Sequence, residues 1–209
     1  MTTSFVPREG QVDTIPMIVA SGVTKRFGTV QVLKGVDLVV GRGRVTAILG
    51  PNAAGKTTFI KVLLGLTRSD AGTILLDGRT LADDPAYRAE VGYMPQLPPF
   101  PENLSAARLI ALLSDLRGGE ATQDRELVER LRLGGELDKP LRTLSGGTRQ
   151  KVNAVLAFLF APRLLVLDEP TSSLDPLMQQ TLHDLLRQLA AAGRTIFFSS
   201  HSLGEVEQL

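Results

Sequence analysis

Gly50-Pro51-Asn52-Ala53-Ala54-Gly55-Lys56-Thr57 decides the fold. The octet fits the pattern G-x-x-x-x-G-K-[ST], in which glycines let backbone N–H groups turn inward around phosphate oxygens. Before it, Arg44 to Leu49 reads as a buried strand. After it, Lys56 to Leu64 reads as a helix stopped at Gly65. Strand, glycine loop and helix in that order predict an α/β architecture with an anion site at the positive end of the helix.

Working outward, Leu164-Leu165-Val166-Leu167-Asp168-Glu169 is an aliphatic strand ending in two carboxylates, which are costly there unless used. Gly72 to Leu76, Val91 to Met94 and Thr195 to Phe198 read as further strands, and the alternation with helices predicts a parallel sheet. Met17-Ile18-Val19-Ala20 and Val36-Asp37-Leu38-Val39-Val40 read as strands of an antiparallel edge. Asp84-Pro85 and Asp175-Pro176 each set a capping carboxylate before a proline at the first helical position. The second pair opens a helix to about Ala192, with Met178, Leu182, Leu185, Leu186 and Leu189 on one face and Gly193 as its stop. Leu97 to Pro140 differs in character. It holds Pro98, Pro99 and Pro101, then two amphipathic patterns (Ala106 to Leu116 and Asp124 to Leu131) punctuated by Gly118-Gly119 and Gly134-Gly135, and no strand pattern.

Bulk properties set bounds. The chain of 209 residues suits one domain with a sizeable core. A net charge of +1 gives no field directed at nucleic acid. Cysteine is absent, which excludes disulfides and suits a reducing compartment. Residues 1–16 lack an apolar block and read as a flexible tail. The longest apolar run, Ala154 to Ala161, falls far short of the roughly 18 residues a membrane span needs. The expectation is a soluble, cytoplasmic protein. Ser202-Leu203-Gly204-Glu205 reads as a capping box that starts a helix with few residues left for it, so a truncated C-terminus is expected.

Between the glycine loop and the acidic strand stands Leu144-Ser145-Gly146-Gly147-Thr148, at the start of an apolar helix (Val152, Val155, Leu156, Leu159, Phe160). This conjunction resembles the ATP-binding cassette (ABC) family, from Met17 onward. The resemblance implies a P-loop NTPase (RecA-like) α/β core over 17–96 and 141–209. It also implies an antiparallel β edge and an inserted all-α helical subdomain over 97–140, with the Ser-Gly-Gly signature at its end. It implies ATP and Mg²⁺ as cofactors. Gly50, Pro51, Asn52, Ala53, Ala54, Gly55, Lys56, Thr57 and Thr58 would hold the phosphates, and Phe27 would stack on adenine. Thr57, Gln96 and Asp168 would hold Mg²⁺. Glu169 would deprotonate the attacking water, with Gln96 and His201 completing the catalytic set. Ser145, Gly146 and Gly147 would meet the γ-phosphate bound by a second cassette, head to tail, and Ser172-Ser173-Leu174-Asp175 would communicate across that dimer. His183 reads as a surface or packing residue.

The chain departs from the family pattern at Ala53, where glycine is usual and a positive φ would be costly, and at Thr148, where glutamine is usual. The resemblance implies an ATP-hydrolysing subunit on the inner face of the cell membrane. Its partners would be an integral membrane permease and an identical second cassette, with no nucleic acid. Gly92 to Gln96, Phe100 to Leu104 and Ser145 to Val152 look like cassettes serving nitrous-oxide reductase maturation, a copper-site system. Two other readings are a non-transport ABC ATPase of DNA repair or translation, and a nucleotide-binding regulator that does not hydrolyse.

Overall fold

The computed structural model describes residues 15–80, 85–117 and 125–209. The tail up to Thr14, the capping residue Asp84, the pair Gly118-Gly119 and Asp124 lie outside the described residues.

Four parallel strands form one sheet: β3 (Val45–Leu49), β6 (Val91–Met94), β7 (Leu164–Asp168) and β8 (Thr195–Ser200), in the order β3-β8-β7-β6. Alternation along each strand sends neighbouring side chains to opposite faces. Leu164, Val166 and Phe197 join one apolar cluster with Phe59, Ile60 and Leu63 of α1 (Lys56–Leu63). Leu165, Leu167, Ile196 and Phe198 join another with α4 (Gly146–Phe158) and α5 (Pro176–Ala191). Both faces of β7 and β8 are therefore covered, which is why β7 is a continuous aliphatic run and not an alternating one. β3, read as a buried strand, is only half-buried because it pairs on one side alone among the described strands, and Leu49 at its end is exposed.

The expected antiparallel pair is present and longer than the sequence suggests. β1 (Ile18–Phe27) pairs with β2 (Val30–Val40) and with β4 (Ala71–Leu76), and β4 pairs with β5 (Arg79–Thr80). These strands make a second sheet, β2-β1-β4-β5, whose inner residues Ile18, Ala20, Val23, Val40 and Leu76 pack in the α1 cluster. The strand at Gly72 to Leu76 thus belongs to this antiparallel sheet and not to the parallel one. Polar pairs such as Thr24 with Lys34 continue the ladder past the apolar residues, beyond a register shift between Ala20 and Val23.

Between β6 and α4 lie α2 (Ala106–Leu116) and α3 (Arg125–Arg130). The Ser105 side chain accepts from Arg108 N–H at 3.3 Å and caps α2. Ala106, Leu109, Ile110, Leu127 and Leu131 join the same cluster as α4 and α5, so these helices share one core with the sheet. α5 begins as read, with the Asp175 carboxylate accepting from Met178 N–H at 3.0 Å. Met178, Leu182, Leu185 and Leu186 are buried on its inner face.

The capping box at Ser202 does not form. Ser202 does precede α6 (Leu203–Glu207), but its side chain makes no capping bond. Glu205 turns inward and accepts from the hydroxyls of Thr171 and Ser200. The Ser202 N–H donates to Ser200 Oγ instead, at 2.9 Å. Buried hydroxyls within reach outcompete an exposed backbone N–H that other acceptors can satisfy.

Candidate functional site

All four strands of the parallel sheet deliver a polar group to the same, carboxyl-terminal edge, where ligands of open α/β sheets bind. β3 leads into Gly50 to Gly55, β6 into Gln96, β7 into Asp168 and Glu169, and β8 into His201. An open groove at this edge is lined by Val32, residues Asn52 to Thr58, Gln96 and Glu169.

Gly55 caps α1 at φ 95°, and a Cβ there would press on Val32 and Leu33 at 3.1 and 3.2 Å. Only glycine meets both demands. Ala53 also lies in the left-handed region, at φ 64°, so the strain expected from its sequence position is real. Lys56 is 9% exposed; its Nζ donates to the carbonyls of Gly50 (2.7 Å) and Pro51 (3.1 Å).

Glu169 stands at the centre of the constellation. One carboxylate oxygen lies 3.2 Å from Lys56 Nζ; the other accepts from Gln96 Nε2 at 3.0 Å and lies 3.3 Å from His201 Nδ1. Its backbone holds φ 48°, a strained angle for a side-chain-bearing residue, which swings the carboxylate out of the strand. Ser199 on β8 fixes this turn: its hydroxyl accepts from Glu169 N–H at 3.0 Å and donates to Asp168 at 2.6 Å. Asp168 is fully buried, and its second oxygen has no partner among the described residues. A buried orphan carboxylate oxygen beside a phosphate groove suits a hard divalent cation. Among the described residues no group of three or more His, Cys, Asp or Glu side chains is placed to hold a metal ion by itself. The Tyr93 hydroxyl is pushed up to about 12, first by burial and then by the Asp168 charge.

Other sequence-predicted residues lie outside the groove lining. Phe27 is 49% exposed with Lys25 Nζ 5.4 Å above its ring, so it is a surface aromatic and not a core one. Ser145 caps α4, accepting from Thr148 N–H at 3.1 Å, with the two hydroxyls 2.8 Å apart. Thr148 therefore occupies the Ser145 hydroxyl. Gly147 faces Ser173, whose carbonyl would be 3.0 Å from an added Cβ. His183 is a packing residue, 3% exposed.

Sequence reading gave no role to two residues on α4. Gln150 Nε2 donates to Pro170 O at 3.3 Å, and Asn153 Nδ2 donates to Pro95 O at 2.7 Å. The helix beginning at Ser145 thereby holds the backbone beside Glu169 and beside Gln96. The available signal was two amides one turn apart, beside the apolar residues of α4; the structure buries both.

Residues 33–172 match the family model described as ABC transporter. Nod factor export ATP-binding protein I of Ralstonia nicotianae is 36% identical over 204 residues, spanning 95% of this chain and 63% of that protein. Lantibiotic transport ATP-binding protein SrtF of Streptococcus pyogenes is 32% identical over 92% of this chain and 83% of its own length. Daunorubicin resistance ATP-binding protein DrrA3 of Streptomyces coeruleorubidus is 36% identical over 92% of this chain and 62% of its own length. The chain thus spans less than two thirds of two of these relatives. A solved ATP-binding subunit of an ABC transporter superposes with a TM-score of 0.83 at 32% identity, covering 92% of this chain and 82% of that one. With the phosphate groove and its acidic strand in the arrangement described, the chain belongs to the ABC transporter family, as an ATP-binding domain.

Proposed function

We propose that the chain binds MgATP in the groove and hydrolyses it to drive a membrane permease that exports its substrate. The observation that carries this reading is the Glu169 carboxylate, held between Lys56, Gln96 and His201 at the edge of the phosphate loop. Lys56 supplies a point charge for the β- and γ-phosphates, and the loop N–H groups and the start of α1 hold their oxygens. Thr58 contacts the α-phosphate, and Phe27, on the surface, stacks on adenine. Thr57, Gln96 and the free Asp168 oxygen hold Mg²⁺, which supplies charge neutralisation when bound. Glu169 orients a water and accepts its proton, while Gln96 and His201 fix the carboxylate.

Ser145, Gly146 and Gly147 lie at a helix N-terminus outside the groove, where they would face an anion held by another subunit once the Ser145 hydroxyl turns from Thr148. This supports a head-to-tail pair of identical cassettes, each closing the other's site. Residues 97–140 act as the helical subdomain that carries this signature. The permease holds the pair at the inner face of the membrane. Among the described residues no helix is long and apolar enough to cross a membrane. Export follows the relatives, whose names speak of Nod factor export, lantibiotic transport and daunorubicin resistance. None of the three is a copper-site maturation protein, so the nitrous-oxide reading rests on the short segments around Gly92, Phe100 and Ser145 alone.

Glu169→Gln should keep nucleotide affinity and slow phosphate release by about 10²–10⁴-fold, the scale of general-base catalysis. A variant that turned over at the parent rate would remove Glu169 from the role of base. A parent protein that binds ATP without turnover, even with its permease, would make the chain a non-hydrolysing regulator.

A further inference from the structure

Glu205 is a buried carboxylate that the proposed chemistry leaves unused. It is 9% exposed on α6, and its two oxygens reach two different segments. One accepts from Thr171 Oγ1 and the other from Ser200 Oγ. Thr171 stands two residues after Glu169, and Ser200 immediately before His201. The Ser200 hydroxyl also accepts from Ser202 N–H at 2.9 Å, so the turn around His201 closes on the same group. From α5, His183 faces Glu205 with Nε2 3.9 Å from Oε1, and neither ring nitrogen has a hydrogen-bond partner among the described residues. Burial opposes ionisation of Glu205, yet His183, Ser200 and Thr171 outweigh it and hold the carboxyl below its ordinary range. A buried charge is weak evidence for stability, since apolar side chains of the same volume commonly serve as well. A carboxylate that spans two loops does something an apolar residue cannot.

We propose that Glu205 is a positioning residue for ATP hydrolysis: it clamps the loop leaving Glu169 to the turn carrying His201, and so fixes these two groups against each other. The distance it governs is the 3.3 Å between His201 Nδ1 and the Glu169 carboxylate. The clamp rests on the reading of Glu169 as the base. Without it, Ser199 still ties the Glu169 backbone to β8, but the segment at Thr171 is no longer held to the turn that carries His201.

The test uses the intact protein and measures steady-state ATPase, nucleotide affinity and thermal melting. Glu205→Ala should lower kcat by about 10–100-fold, the scale of a 1 Å misplacement, with KM for ATP unchanged. Glu205→Gln should recover part of the loss, because its amide oxygen still accepts from one hydroxyl while its NH₂ cannot accept from the other. Removing both hydroxyls by Thr171→Val with Ser200→Ala should lower kcat to the same degree. Adding Glu205→Ala to that pair should change nothing further, as expected for groups acting as one unit. Parent kcat in Glu205→Ala would overturn the clamp, as would losses that add up independently or that follow the folded fraction. Should Glu205→Ala fail to fold, the Gln variant and the double hydroxyl variant decide by the same criteria. An active parent with an inactive Glu169→Gln and an unaffected Glu205 series sinks the clamp alone. An inactive parent, or a Glu169→Gln that matches it, removes the reading beneath it and the clamp with it.

Discussion

At Ala53 a methyl group sits on a backbone turned to φ 64°, inside the loop that wraps phosphate. The left-handed region costs an alanine roughly 1–2 kcal/mol, of which the extra freedom of an unfolded glycine would return about 0.5–1 kcal/mol. Ala53→Gly should therefore stabilise the protein by a net of about 0.5–1 kcal/mol, raising the melting temperature by roughly 1–4 °C. A melting curve that falls would mean that the alanine methyl makes contacts worth more than its strain. Glu169 shows the same tension from the other side. Its φ of 48° is also strained, but there the strain aims a carboxylate at Lys56, Gln96 and His201. The sequence made Glu169 legible because an acid pair ends an aliphatic run. Ser199, which holds the turn, carries no such mark: a serine beside another serine on a buried strand acquires its meaning only when β8 lies beside β7.

Among the elements, β6 and α4 meet at unusually close range. A Cβ on Gly92 would lie 2.0 Å from Ala157 O and 2.7 Å from Pro162 Cγ, so the strand and the helix touch through bare backbone. Gly92→Ala should cost about 3 kcal/mol, the upper end of overpacking penalties, read as a lowered denaturant midpoint. Gly135→Ala, where an added Cβ meets nothing within 4 Å, should leave the midpoint in place. Equal midpoints for the two variants would show that the backbone contact is not tight. Element identity was largely legible here. Periodicity located α2 as the Ala106 to Leu116 pattern, and the Asp-Pro pair located the start of α5. Strand ends were not, because β1 runs on into Thr24, Lys25 and Arg26, opposite Lys34, Leu33 and Gln31 of β2, where pairing sustains the strand. The Ser202 to Glu205 spacing misled for a related reason. Local pattern predicts a bond back to the cap, while Thr171, 34 residues away in sequence, captures the carboxylate.

For the molecule as a whole, the proposed head-to-tail pairing requires ATP to persist between two copies. Glu169→Gln should therefore accumulate as an ATP-dependent dimer. Lys56→Ala, lacking the charge that faces the phosphates, should stay monomeric under the same conditions. Size-exclusion chromatography with light scattering, with and without MgATP, reads both. A Glu169→Gln protein that remains monomeric in saturating MgATP would count against the shared site. The strand order carries a different consequence. β3, which presents the phosphate loop, pairs with β8 alone among the described strands, from Val45 to Ile196 and onward. Those partners lie 151 residues apart (196 − 45). At about 5–20 residues per second on the ribosome, the loop's own strand waits roughly 8–30 s for its neighbour to be made. During that interval an aliphatic edge stands open on the nascent chain. The strand that presents the phosphate loop is thus made well before the neighbour that locks it, and it is where chaperones have the most to shield.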